Sequence, residues 1–123
     1  MSDNMRAINA EDRRIANINT AEFTPLPTND GREIGQSVLQ LNDAHPQGVG
    51  FHIYKMAPGF TTDAHIHAED EEFFILEGDI VDHDGTRYVP GDLVWLRKDT
   101  KHNSYTENGC TIVVYIQEAE KMI

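Results

Sequence analysis

A chain of 123 residues sets an expectation of one domain with a single core. Ten lysines and arginines against 21 aspartates and glutamates give a formal charge of −11, which would repel nucleic acid and anionic membrane surfaces. The longest apolar runs, such as 73–76 and 112–116, fall far short of the roughly 20 residues a membrane helix needs. No secretory pattern is read after Met1, and the single cysteine, Cys110, can form no internal disulfide, which points to a reducing cytoplasm.

In chain order, residues 1–24 are polar and irregular and read as an N-terminal arm, with one or two helical turns over 10–16 capped by Asn9. Pro25 and Pro27 stop any helix and favour extended chain. Residues 25–123 read as the folded domain, and its pattern is β throughout. Strands are expected over 34–41, 49–56, 71–76, 80–82, 86–89, 93–96, 103–106 and 111–117, each rich in β-branched or aromatic residues. Turn signals such as Asn29-Asp30-Gly31, Ala57-Pro58-Gly59, Pro90-Gly91-Asp92 and Asn108-Gly109 separate them. Many short strands at close spacing mean an antiparallel sandwich or closed barrel rather than βαβ units.

Chemistry concentrates between Gly59 and Gly78. His65 and His67 are two apart, so on a strand both imidazoles share a face, and two neutral imidazoles on one face are half of a metal site. Glu71 follows across a short acidic turn and shares a face with Phe73 and Ile75, while Glu72, Phe74 and Leu76 face the other way. His102 heads another short strand downstream. Alone, a His-x-His pair is more often a surface feature, and the acidic run 69–72 a solvated turn. Their joint occurrence between framing glycines is what points to a site.

Gly59-x5-His65-x-His67-x3-Glu71-x6-Gly78 resembles the first signature motif of the cupin superfamily, with every spacing intact. The resemblance implies an antiparallel jelly-roll β-barrel with one divalent transition metal (Fe, Mn, Zn, Ni, Co or Cu) held by His65, His67, Glu71 and His102. The second cupin motif is matched in part. Pro90-Gly91 and His102 stand in place, but Arg97 replaces its proline, Asp99 its glycine and Thr106 its asparagine, which bears on the turn 98–101. The segments 82–92 and 107–110 are similar to a narrower group that includes the cupin domain of ChrR-type anti-sigma factors and small dioxygenases cleaving β-diketones.

The remaining candidates divide. His45 and His83 sit in polar turns and read as solvent-facing. His52 and Tyr54 share a strand face; pointing inward, they would be the catalytic candidates that orient a substrate, beside Glu71, which could also act as a base. Trp95 reads as core or cavity wall. Cys110 reads as an inert thiol, since no cationic neighbour in sequence would lower its pKa. No serine has a nucleophile-elbow context and no glycine-rich phosphate loop is present.

Three imidazoles and one carboxylate leave a six-coordinate ion two open positions, enough for a small molecule with adjacent oxygens. The leading reading is therefore a metal-dependent enzyme on such a substrate, a dioxygenase first. The alternatives are a metal-binding sensory module like the ChrR-type domain, a redox-neutral lyase or isomerase, and a metal-independent small-ligand binder. Small cupins commonly dimerise, and Phe74 and Leu76 would form an outward apolar patch, so a homodimer is expected. No nucleic acid or membrane partner is expected.

Overall fold

Alternation of apolar and polar side chains decides the central strand. From Glu71 onward the residues alternate between buried and exposed as far as Leu76, and the segment forms a strand, Glu71–Gly78. The structure, a computed structural model, describes residues 5–32 and 34–123. Its strands are β1 (Thr24–Pro25), β2 (Gln36–Leu39), β3 (Gly50–Met56), β4 (His65–Ile66), β5 (Glu71–Gly78), β6 (Ile80–Asp82), β7 (Arg87–Tyr88), β8 (Leu93–Leu96), β9 (Lys101–His102), β10 (Ser104–Tyr105), β11 (Cys110–Ile116) and β12 (Lys121–Met122). Among the described residues the one helical element is a 3-10 turn, Ala10–Asp12, whose preceding Asn9 amide donates to Asp12 Oδ2 at 3.0 Å.

Three antiparallel sheets enclose the interior. A six-stranded sheet has the order β1-β2-β3-β11-β5-β8, and two three-stranded sheets have the orders β10-β6-β7 and β12-β4-β9. The fold is all-β, as the sequence predicts. The core lies on the inner side of the large sheet, where Phe73, Ile75, Ile112, Val114, Ile116 and Met56 are buried together with Ile80 of the facing sheet. Ile75 is completely buried, a placement worth about 1.5–3 kcal/mol relative to exposure.

Several strands are shorter or longer than the sequence predicts. The strand expected over 34–41 keeps only Gln36–Leu39, because Gly35 adopts a φ of 109° and turns the chain before it. The one expected over 86–89 ends at Tyr88, because Val89 is drawn into a turn by its amide donating to Asp92 Oδ2 at 2.9 Å. β5 instead runs on to Gly78, with a bulge opposite Thr111/Ile112. Gly78 has a φ of 90°, and a Cβ there would sit 2.0 Å from the Gly109 carbonyl oxygen, so only glycine lets β5 and β11 meet at this end.

Candidate metal centre

Pairing of the smallest sheet builds the cluster. β4 pairs antiparallel with β9 so that His65 lies directly opposite His102, and cross-strand partners share a face. His67, two residues beyond His65, returns to that face. The ring centroids of the three histidines are 5.1, 4.6 and 4.8 Å apart, and one nitrogen from each falls within a 4.8 Å cluster. Glu71, the first residue of β5, brings Oε1 to 3.0 Å from His67 Nε2 and 3.8 Å from His102 Nε2.

The outer hydrogen bonds fix which nitrogen faces inward. His65 Nδ1 donates to the Asp63 carbonyl at 2.9 Å, leaving a lone pair on Nε2. Thr100 Oγ1 donates to the Arg97 carbonyl at 2.5 Å, so its lone pairs accept the His67 Nδ1–H at 3.1 Å, and His67 Nε2 too carries a lone pair. Both Nε2 atoms are buried, and each faces a carboxylate oxygen, Glu120 Oε2 at 2.5 Å for His65 and Glu71 Oε1 at 3.0 Å for His67. An imidazole lone pair facing a carboxylate oxygen in a buried cluster is costly unless a proton or a metal ion lies between them. Three imidazoles and a carboxylate form the donor set that first-row divalent metals prefer, so these residues fit such an ion.

His102 is oriented from behind by a buried carboxylate. Asp82 Oδ1 lies 3.2 Å from His102 Nδ1, though not squarely in line with its N–H. The same oxygen accepts from Ser104 Oγ at 2.6 Å, and Oδ2 accepts from the Tyr88 hydroxyl at 2.7 Å. Burial works to raise the Asp82 pKa, but the bonds from His102, Ser104 and Tyr88 outweigh it and hold it below the usual carboxylate range. Asp82 was not a candidate from sequence. Its signal was there: it has the parity of Ile80, an acid on the core face of a short strand.

A second carboxylate also escaped the sequence reading. Glu120, just ahead of β12, places Oε2 at 2.5 Å from His65 Nε2. Burial opposes protonation of His65, yet the Glu120 carboxylate prevails and raises its pKa. Burial likewise opposes ionising Glu120, and His65 with the nearby histidines lowers its pKa. No spacing in the sequence ties residue 120 to residue 65; only the pairing of β12 with β4 does.

Beside the cluster lies a cavity of about 270 Å³, and His52, Tyr54, His65, Glu71 and His102 all line it. The face shared by His52 and Tyr54 thus points inward, a matter the sequence left open. His52 is buried, its Nδ1 donates to the Gly50 carbonyl at 3.0 Å, and burial lowers its pKa, which keeps it neutral. The Tyr54 hydroxyl donates to Gln36 Oε1 at 2.5 Å, and burial raises its pKa far above the ordinary value. Phe73, Ile112, Val114 and Ile116 form the apolar wall. Trp95 does not contribute to it. β8 pairs with β5 so that Trp95 lies opposite the exposed Glu72, and the indole is 54% exposed with Nε1 donating to Asp70 Oδ2 at 3.0 Å. His45 and His83 are exposed, and Cys110 is buried at the start of β11 with burial pushing its thiol up to about 11.

The turn leading to His102 is closed by the Thr100 amide donating to the Arg97 carbonyl at 3.2 Å. Asp99, standing where the second motif has glycine, has a φ of 71° and is the one non-glycine residue with positive φ among those described. Thr106, standing where it has asparagine, is fully buried; its hydroxyl donates to the Asp79 carbonyl at 2.6 Å and accepts the Gly109 amide at 2.9 Å.

Comparison with known proteins extends this description. The model of one family, described as the ChrR Cupin-like domain, matches residues 11–120. Among solved structures, an acetylacetone dioxygenase from Acinetobacter johnsonii is 16% identical with a TM-score of 0.72, covering 100% of this chain and 85% of that one. The polyketide cyclase RemF from Streptomyces resistomycificus is 19% identical with a TM-score of 0.65, covering 90% of this chain and 85% of that one. A complex of Rhodobacter sphaeroides SigE with the anti-sigma ChrR matches at 19% identity and a TM-score of 0.57, over 82% of this chain and 52% of that one. At these identities the likeness is one of fold. No curated protein sequence matches the chain.

Proposed function

The chain belongs to the ChrR cupin-like domain family, and on that premise we propose that it is a metal-dependent cupin enzyme acting on a small substrate with adjacent oxygens, a dioxygenase first. The observation that carries the metal is the convergence of His65, His67 and His102, one nitrogen of each lying within 4.8 Å of the others. His65, His67, His102 and Glu71 are the residues that would hold the ion. A bound divalent metal would supply Lewis acidity and, if redox-active, access to dioxygen chemistry.

The chain's own residues supply the rest. The apolar wall of Phe73, Ile112, Val114 and Ile116 excludes water and lowers the local dielectric. His52, neutral and with its Nε2 lone pair free of the Gly50 bond, can accept a proton or hydrogen bond from an enol hydroxyl. Tyr54 gives its hydrogen to Gln36, so towards a ligand its oxygen acts as an acceptor. A chelating enol of a diketone or hydroxyketone would find acceptors on one side and hydrocarbon on the other.

The same reading includes residues 1–24 as an N-terminal arm ahead of the barrel domain 25–123, a homodimer, and a cytoplasmic setting. The arm is tied down where Arg14 donates to the Leu41 carbonyl at 2.6 Å. The dimer is supported by an outward apolar face, on which Phe74 pairs with Leu93, 78% exposed. The single, buried Cys110 suits a reducing compartment.

Oxygen uptake by iron-loaded protein against diketones, hydroxyketones, catechols and flavonols tests the reaction. Consumption with one chelating class supports a dioxygenase. No consumption, together with zinc as the metal retained on purification, would move the assignment to a sensory module or a redox-neutral enzyme. The sensory reading has its own support in the family matched. Glu71→Ala should strip metal while Glu72→Ala, altering an outward side chain, should not.

A further inference from the structure

We propose that Glu120 is a direct ligand of the metal centre, making it a site of three histidines and two carboxylates; this rests on the metal reading above. Glu120 Oε2 approaches His65 at Nε2, the nitrogen whose lone pair is left facing inward by the Nδ1 bond to the Asp63 carbonyl. A carboxylate oxygen and an imidazole lone pair are both acceptors. Held 2.5 Å apart, they require a positive charge between or beside them. A proton would satisfy that one contact. A cation among the three rings satisfies it together with the second such contact, His67 Nε2 facing Glu71 Oε1 at 3.0 Å.

The two carboxylates flank the cluster from different sides. Glu71 Oε1 lies against His67 and His102, and Glu120 Oε2 lies against His65. Glu120 is carried there by backbone, since Met122 pairs with His65 and the Ile123 amide donates to the Ala64 carbonyl at 3.3 Å. Its position is therefore set by the same small sheet that sets His65. Two carboxylates make a divalent ion formally neutral and leave one open position of six rather than two. Such a site favours harder ions and holds a chelating substrate only if one carboxylate gives way.

The test is titration of metal-stripped protein with Co²⁺ alone, read by visible absorption and by affinity. Glu120→Ala should weaken Co²⁺ binding about tenfold or more and raise the intensity of the visible bands as the coordination number falls. Glu120→Gln, which keeps the shape, should fall between the two and guards against a folding defect, checked by circular dichroism. Glu118→Ala, at an exposed neighbouring position, should match wild type. If His67→Ala abolishes binding while Glu120→Ala binds equally or more tightly with an unchanged spectrum, Glu120 is a competitor that pairs with protonated His65, and the proposal is overturned. If His67→Ala binds as wild type does, the metal reading itself fails.

Discussion

The amide of Asp99 donates to the carbonyl of His67 at 2.9 Å, and the amide of His67 donates to the carbonyl of Thr100 at 2.9 Å. This reciprocal pair stitches the loop before His102 to the strand carrying His65. It forms only because Asp99 turns into the left-handed region, at a φ of 71°.

That backbone state is costly for a residue with a Cβ. Asp99→Gly should therefore stabilise the fold by up to about 1 kcal/mol, the relief of left-handed strain exceeding the added entropy of the unfolded chain. Asp99→Val should destabilise it by more than 1 kcal/mol, roughly. Urea denaturation midpoints check both, and equal midpoints for Gly, Asp and Val would show that the turn bears no strain.

Much of this site could be read from the sequence, because its elements follow local rules. Period-two spacing put His65 with His67, and Glu71 with Phe73 and Ile75, and the cluster and the buried face are found so. What could not be read depends on pairings between distant short strands. Asp82 reaches His102 because β6 pairs with β10, and Glu120 reaches His65 because β12 pairs with β4. Strands of two or three residues leave no periodicity to detect. Trp95 was misplaced for a related reason: its alternation fitted either face, and only the Glu72–Trp95 register decides.

Asp82 holds His102 in orientation and accepts from Ser104 and Tyr88. Asp82→Asn should lower metal affinity by about ten- to a hundredfold, as expected for a carboxylate behind a ligating imidazole. Tyr88→Phe removes one donor and should cost less. Competition titration with a chromophoric chelator checks the order; a Tyr88→Phe loss equal to that of Asp82→Asn would mean packing rather than orientation is at stake.

Asp79 anchors the turn into β11. Its carboxylate accepts from Asn108 Nδ2 at 2.8 Å and the Glu107 amide at 2.8 Å, and chiefly the Asn108 bond lowers its pKa. A carboxylate with a depressed folded pKa stabilises the fold above the unfolded value near 3.9, and that contribution is lost as pH falls through the folded value. Asp79→Asn should thus lower the urea midpoint at pH 7, and its gap from wild type should close towards pH 3. A gap independent of pH would contradict this assignment.

The outward apolar face should hold a second copy. Phe74→Glu with Leu93→Glu places two charges on neighbouring residues of that face and should convert a dimer into a monomer without altering the metal centre. Light scattering over a range of concentrations decides it, and a wild-type protein that is monomeric throughout ends the proposal.

The sheet β12-β4-β9 is held by strands of two residues each, yet it bears His65, His102 and the segment leading to Glu120. So few backbone bonds give it little rigidity of its own, while the six-stranded sheet is secured by seven-residue registers between β11 and β3. An ion gripped by side chains from β4, β9 and β5 would act as a rivet between the two. Amide exchange in the small sheet should consequently track metal occupancy, and exchange in β11 should be almost indifferent to it. The frame of the barrel is secured by hydrocarbon, whereas this rim would gain its order together with a bound ion.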